Sequence, residues 1–146
     1  MKKIYLCFMI FIMLTAKSFA ADNIVVIVPK KSPLTKLTLA QVKALYLGET
    51  RFAVPGVQVE LHDRDRTTVI FKEFYEKVAD MSPKQASVHW SRKVFSGEAP
   101  PPVRDSGEDA AVLEALKNKG EAINYVYEKS VTSASNMKIV YSLNGK

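Results

Sequence analysis

Five consecutive residues, Ile24, Val25, Val26, Ile27 and Val28, are apolar and β-branched, and the run stops at Pro29. A strand with no polar alternation cannot have one face in water. It must be covered on both sides, as in a parallel or mixed sheet with helices on each face. This run therefore predicts an α/β fold in three layers. The rest of the chain must supply the helices and the neighbouring strands.

The helices are marked by their caps. Thr38 and Gln41 have capping-box spacing ahead of a stripe of Leu39, Val42, Leu45 and Tyr46, with Gly48 as the stop. Ile70, Phe71, Phe74, Tyr75 and Val78 form a second stripe. Ser82, Pro83 and Gln85 open a third helix, in which Ala86, Trp90, Val94 and Phe95 are expected to face inward. Residues 109–119 predict a short helix with Val112, Leu113 and Leu116, ended by Gly120. Val57, Val59 and Leu61 alternate with polar residues as a second strand, after a turn at Val54, Pro55 and Gly56. Residues 122–126 and 137–143 read as closing strands, residues 62–66 as a charged loop and residues 98–106 as a Pro-rich loop.

Ahead of the first strand stands a different kind of segment. Met1-Lys2-Lys3 is basic, residues 4–16 are almost wholly apolar, and Ser18 and Ala20 are small residues at the −3 and −1 positions of a cleavage site. That pattern is a secretory signal peptide cleaved after Ala20. These thirteen residues fall short of the ~20 needed to span a bilayer, and Lys17 interrupts the run. Cys7 lies inside the apolar core rather than after it, which argues against a lipid anchor. Processing leaves residues 21–146 as one periplasmic or secreted domain with no membrane span. Its 18 Lys+Arg against 15 Asp+Glu give a net charge of +3, down from +6 for the whole chain. No Cys remains, so a packed core rather than disulfides has to supply stability.

Most chemistry is excluded by what the residues fail to form. His62 and His89 stand far apart, with no Cys nearby and no HExxH spacing, and read as surface or capping residues rather than metal ligands. Neither a nucleophile elbow nor a glycine-rich phosphate loop is present. Asp63 and Asp65 alternate with Arg64 and Arg66, which would hold both carboxylates ionised and unsuited to general acid work. The small excess of positive charge and the helical spacing of Phe71, Phe74, Tyr75, Trp90 and Phe95 argue for core packing and against nucleic-acid binding. Lys30, Lys31 and Lys36 read as a solvated loop. The expectation is a protein that is not an enzyme and carries no metal or cofactor.

The most chemically loaded stretch is His62-Asp63-Arg64-Asp65-Arg66-Thr67-Thr68. It joins a strand to a helix, the place where open α/β sheets bind ligands. A helix N-terminus offers free N–H groups and partial positive charge to an anion. Thr67 and Thr68 could add hydroxyls, and an Arg a two-pronged contact. The bland alternative, favoured by spacing alone, is that Asp65 or Thr67 caps the helix and the Arg–Asp pairs are solvated surface charges.

Several landmarks stand in an order that resembles the phosphate-type periplasmic substrate-binding proteins of ABC transporters, of the type 2 periplasmic-binding fold. These are Val25-Val26-Ile27-Val28 with its proline loop, and Leu39-x-x-Val42-x-x-Leu45-Tyr46-Leu47-Gly48-Glu49, similar to an L-x-x-I/L-F-x-G helix end. Arg64 lies ten residues before Phe74, and Trp90-x-x-x-Val94-Phe95-Ser96-Gly97 with Pro100 is similar to a W…F-[ST]-G…P segment. Gly120-Glu121-Ala122-Ile123-Asn124-Tyr125-Val126 is similar to G-A-I-G-Y-V. The resemblance runs over residues 24–141 and implies a single type 2 lobe with a mixed sheet flanked by helices.

It also implies a site. The family's Arg-x-x-Gly-Ser-Gly-Thr loop, aligned on Phe74, places its Arg on Arg64 and its Ser on Thr68. Thr67 and Val69 stand at the glycine positions, Ile70 at the Thr and Asn124 at a strand glycine. β-Branched residues restrict the close backbone approach that glycine permits. The implied function is a solute-binding-like protein that holds phosphate or a related oxyanion weakly through Arg64, Asp65, Arg66, Thr67 and Thr68. Full-length members close two lobes on their ligand, so the implied partner is a membrane transporter or a second periplasmic lobe. The alternative is a periplasmic adaptor that has lost its ligand.

Overall fold

The computed structural model describes residues 21–145. The segment read as a signal peptide, Cys7 included, lies outside the described residues. Strand β1 (Ile24–Pro29) is buried along its whole length. Its side chains divide by parity: Ile24, Val26 and Val28 enter one apolar cluster, Val25 and Ile27 another. This is the two-sided burial that an unbroken β-branched run requires.

The elements that follow are α1 (Leu39–Tyr46), β2 (Phe52–Val54), β3 (Val57–Gln58), β4 (Glu60–Arg64), α2 (Val69–Ala79) and α3 (Pro83–Phe95). Then come β5 (Val103–Asp105), α4 (Asp109–Leu116), β6 (Ala122–Tyr127) and β7 (Met137–Ser142). Five strands form one mixed sheet in the order β5-β4-β6-β1-β7. Strand β4 runs parallel to β5 and β6, whereas β1 is antiparallel to both β6 and β7. Residues of α1, α2 and α3 cover one face in the larger cluster, and Val112 and Leu116 of α4 cover the other. The result is the expected mixed sheet flanked by helices.

Local chemistry set the helix starts. Thr38 with Gln41 and Ser82 with Gln85 form full capping boxes, and Pro83 occupies the first turn of α3. Gly48 follows α1 at φ +66°, and a Cβ there would sit 3.0 Å from the Trp90 ring. Glycine therefore serves both the left-handed turn and the close approach of the indole. Within the core the Phe74 and Tyr125 rings stack with centroids 3.7 Å apart.

Four expectations needed correction. Leu39, Val94 and Phe95 are exposed, Phe95 to 93%; they lie at helix ends, where the covering layer has stopped. Residues 62–64 belong to β4 rather than to a loop, because β5 pairs along them and continues a strand that β6 pairs at Glu60 and Leu61. Residues 103–105 of the Pro-rich stretch form β5, an edge strand held by register with β4. Val57 and Leu61 sit in two different strands, with a separate β2–β3 hairpin around the Pro55-Gly56 turn. Among the described residues no helix is long and apolar enough to cross a membrane.

Candidate functional site

Strand β4 ends at Arg64 and α2 begins after Thr68, so the loaded stretch straddles the C-terminal end of the strand and the N-terminus of the helix. Strand parity divides its charges between the two faces of the sheet. Asp63 points into the α2–α3 layer, while His62 and Arg64 point toward α4 and β5.

Asp63 is fully buried and is held entirely by donors. Tyr125 Oη donates to Oδ1 at 2.6 Å, Tyr75 Oη to Oδ2 at 2.8 Å, Arg104 Nη1 to Oδ2 at 3.0 Å and the Arg64 N–H to Oδ1 at 2.8 Å. Trp90 Nε1 donates to Tyr75 Oη at 3.0 Å and extends the network. Burial raises the Asp63 pKa, against the pull of Arg104 and of the Tyr125 and Tyr75 hydrogen bonds. This corrects the expectation that Arg64 and Arg66 hold the carboxylate ionised. The ion-pair partner is Arg104, and desolvation outweighs it.

Arg64 is 3% exposed. Its Nη1 donates to Asp109 Oδ1 at 2.7 Å and to the Tyr125 carbonyl at 3.2 Å, and Nη2 donates to the Gly107 carbonyl at 3.0 Å. Its buried Nε has no partner among the described residues. Asp109 stands in the first turn of α4 and its Oδ2 accepts from the Tyr127 N–H at 3.0 Å and from Ser130 Oγ at 2.6 Å. An internal carboxylate thus sits on the guanidinium that the sequence assigned to an external anion.

The exposed part of the corner is also knitted to itself. Thr68, rather than Asp65 or Thr67, is the N-cap: its Oγ1 accepts from the Phe71 N–H at 3.4 Å and donates to the Asp65 carbonyl at 2.7 Å. Asp65 Oδ1 accepts the Thr67 N–H at 2.8 Å and the Thr67 hydroxyl. These hydrogen bonds, the hydroxyl's first, hold the Asp65 carboxyl below its ordinary value. Arg66 is exposed. The Thr67 N–H and hydroxyl at this corner are thus already taken by Asp65.

The histidines are structural. His62 is fully buried, not at the surface: Nδ1 lies 2.8 Å from Asp105 Oδ2 and Nε2 lies 2.5 Å from Glu60 Oε1. Both nitrogens donate only from the imidazolium form. Burial alone would lower the His62 pKa, but the hydrogen bonds to Asp105 and Glu60 outweigh it and the net shift is upward. Asn124 Nδ2 also donates to Asp105 Oδ2, at 2.9 Å. His89 Nε2 lies 2.8 Å from the Leu47 carbonyl that ends α1, a capping contact. Among the described residues no group of three His, Cys, Asp or Glu side chains is placed to hold a metal ion. The sequence carried no signal for Arg104, Asp105 and Asp109, which stand about 40 positions from their partners on β4. Only the β4–β5 pairing could have revealed the first two.

Neither a scan against protein-family models nor a search of curated protein sequences finds a match. Solved structures do match. A candidate phosphate ABC transporter substrate-binding protein with bound phosphate, from Clostridium perfringens, aligns at TM-score 0.62 and 18% identity over 82% of this chain. An ABC-type phosphate transport receptor from Vibrio cholerae aligns at TM-score 0.63 and 16% identity, again over 82% of this chain. The fold is the periplasmic binding-protein fold. The chain spans only 44% and 45% of the lengths of these two proteins. Both are named as binding proteins or receptors rather than as enzymes.

Proposed function

We propose that this chain is an exported, solute-binding-like protein of a single lobe, residues 21–146, with a weak oxyanion site at Arg64, Asp65, Arg66, Thr67 and Thr68. The observation that carries the reading is positional. The corner lies at the C-terminal end of β4 and the N-terminus of α2, where sheets of this type bind ligands, in a fold shared with a phosphate-bound structure. Arg66 supplies the exposed guanidinium, α2 the N–H groups, and Thr67 a hydroxyl once Asp65 releases it. Arg64 acts from beneath as a buried charge, already countered by Asp109. That internal pairing and the absence of a facing lobe in residues 21–145 are the physical reasons for weak binding. A transporter or a second periplasmic lobe would complete the cleft. No catalytic turnover belongs to this reading.

Calorimetric titration with phosphate and sulfate tests it. Millimolar, saturable binding that Arg66→Ala removes is the expected result, and a thermal shift equivalent to about 2.7 kcal/mol requires ligand at ~100 times its dissociation constant. Heats identical for the protein and for Arg66→Ala would sink the oxyanion site. The Asp109 carboxylate on Arg64 favours a second reading, an adaptor lobe that keeps the fold without the ligand. Partner association indifferent to phosphate would support it.

A further inference from the structure

A broad concavity lies at the opposite end of β4 from the oxyanion corner. It is a groove of about 830 Å³ over the start of the strand, between the end of α1, the β2–β3 hairpin and the loop that leads into β5. Its apolar floor includes Trp90, Pro101, Phe52 and Val103. Phe52 is 52% exposed and Val103 40%, more apolar surface than this part of the molecule needs for its own packing. Four glutamates, Glu49, Glu60, Glu98 and Glu121, line the groove against one cation, Arg51. Glu60 is paired to Lys119 and Glu98 to Lys93; Glu49 and Glu121 enter no ion pair among the described residues. An acidic groove on a chain whose residues 21–146 carry a net +3 is a local charge pattern, not the average of the surface. Val103 of β5 borders it, and β5 is the edge strand of the sheet, with β4 its only strand neighbour among the described residues.

We infer that this groove binds an extended, basic peptide segment of a partner protein. The segment pairs with the open edge of β5 and seats one apolar side chain beside Phe52, Trp90 and Val103. Its lysines or arginines meet Glu49 and Glu121. Edge pairing supplies the backbone hydrogen bonds, the apolar pocket the anchor and the glutamates the selection of sign. Val103, the first residue of the edge strand, and the two unpaired glutamates line the same groove, so one ligand can meet both.

Trp90 is the sole tryptophan of the chain, so its emission reports occupancy. The probes are two capped pentapeptides, Lys-Leu-Lys-Val-Lys and Glu-Leu-Glu-Val-Glu, titrated by fluorescence and calorimetry. The lysine peptide is expected to bind saturably and more weakly in high salt. Its affinity should fall about tenfold in Glu49→Lys/Glu121→Lys and likewise in Phe52→Ser, all three positions being exposed. Arg66→Ala should leave peptide binding intact, which separates this site from the oxyanion corner. Equal binding of the acidic peptide, unchanged affinity in the double variant, or no heat and no emission change at millimolar peptide would each overturn the inference. So would concentration-dependent self-association abolished by Phe52→Ser, since the occupant would then be a second copy.

Discussion

The two ends of β4 use charge in opposite ways. At the C-terminal end nearly every charged group is answered from within: Asp63 by Arg104, Arg64 by Asp109, Asp65 by Thr67. At the N-terminal end Glu49 and Glu121 stand without an ion-pair partner among the described residues, beside exposed Phe52 and Val103. The first arrangement is that of a framework, in which removing one partner strands another buried charge. The second is that of a surface that awaits a complement. A cluster dense in charge is therefore not the better binding site; what counts is how much of its hydrogen-bonding capacity the fold has left over.

The largest expected effect breaks the framework end. Arg64→Ala should cost about 3–5 kcal/mol in urea unfolding, because Asp109 is left without its counter-ion in a buried setting. A loss below ~1 kcal/mol would show that Arg64 is a free ligand-binding residue and that its pairing is incidental. Gly48→Ala should cost about 2–3 kcal/mol, combining left-handed backbone strain with the Trp90 contact; because Gly48 and Trp90 both line the groove, peptide binding should weaken with it, whereas phosphate binding by the folded protein should survive.

The pH dependence sharpens the contrast. The folded pKa of His62 is raised, so its stabilisation is fully present below the unfolded value of about 6.5. It is lost as pH rises through the higher folded value. Thermal melts should therefore show a fall in stability on the alkaline side of 6.5 that His62→Gln lacks. Asp63 has the reverse chemistry and the same sign: its raised pKa means that the ionised carboxylate is disfavoured by burial. Stability gains as pH drops through that raised value.

The smallest effects lie at the exposed corner. Asp65→Asn should tighten phosphate binding a few-fold while leaving the unfolding midpoint nearly unchanged, since the internal competitor for Thr67 loses its charge. Weaker binding would instead make Asp65 a ligand contact, for example to a protonated phosphate oxygen.

Much of the frame was legible because its causes are local. A β-branched run cannot be half wet, and Thr38-x-x-Gln41 or Ser82-x-x-Gln85 satisfies orphan N–H groups within one turn. Stripes such as Ile70, Phe71, Phe74, Tyr75 and Val78 are buried as their spacing requires. The same rule failed at Val94 and Phe95, since periodicity says which side of a helix faces inward but not where the covering layer ends.

The alternation of charge along residues 62–68 was also visible, but its meaning was not. Read linearly, Arg64 and Arg66 are equivalent flanks of Asp65. Folded, the last position of β4 turns Arg64 inward toward Asp109, whereas Arg66, beyond the strand, reaches water. His62 and Asp63, adjacent in sequence, are sent to opposite faces by strand parity. Residue type and short-range spacing therefore determined β1, the two capping boxes and most of the helical faces of this protein. The pairing of β4 with β5, and the seating of α4 over Arg64, decided which charges are structure and which remain for a ligand. Burial and long-range counter-ions are properties of the packed sheet, and the energies they set are far larger than any that neighbours in sequence can impose.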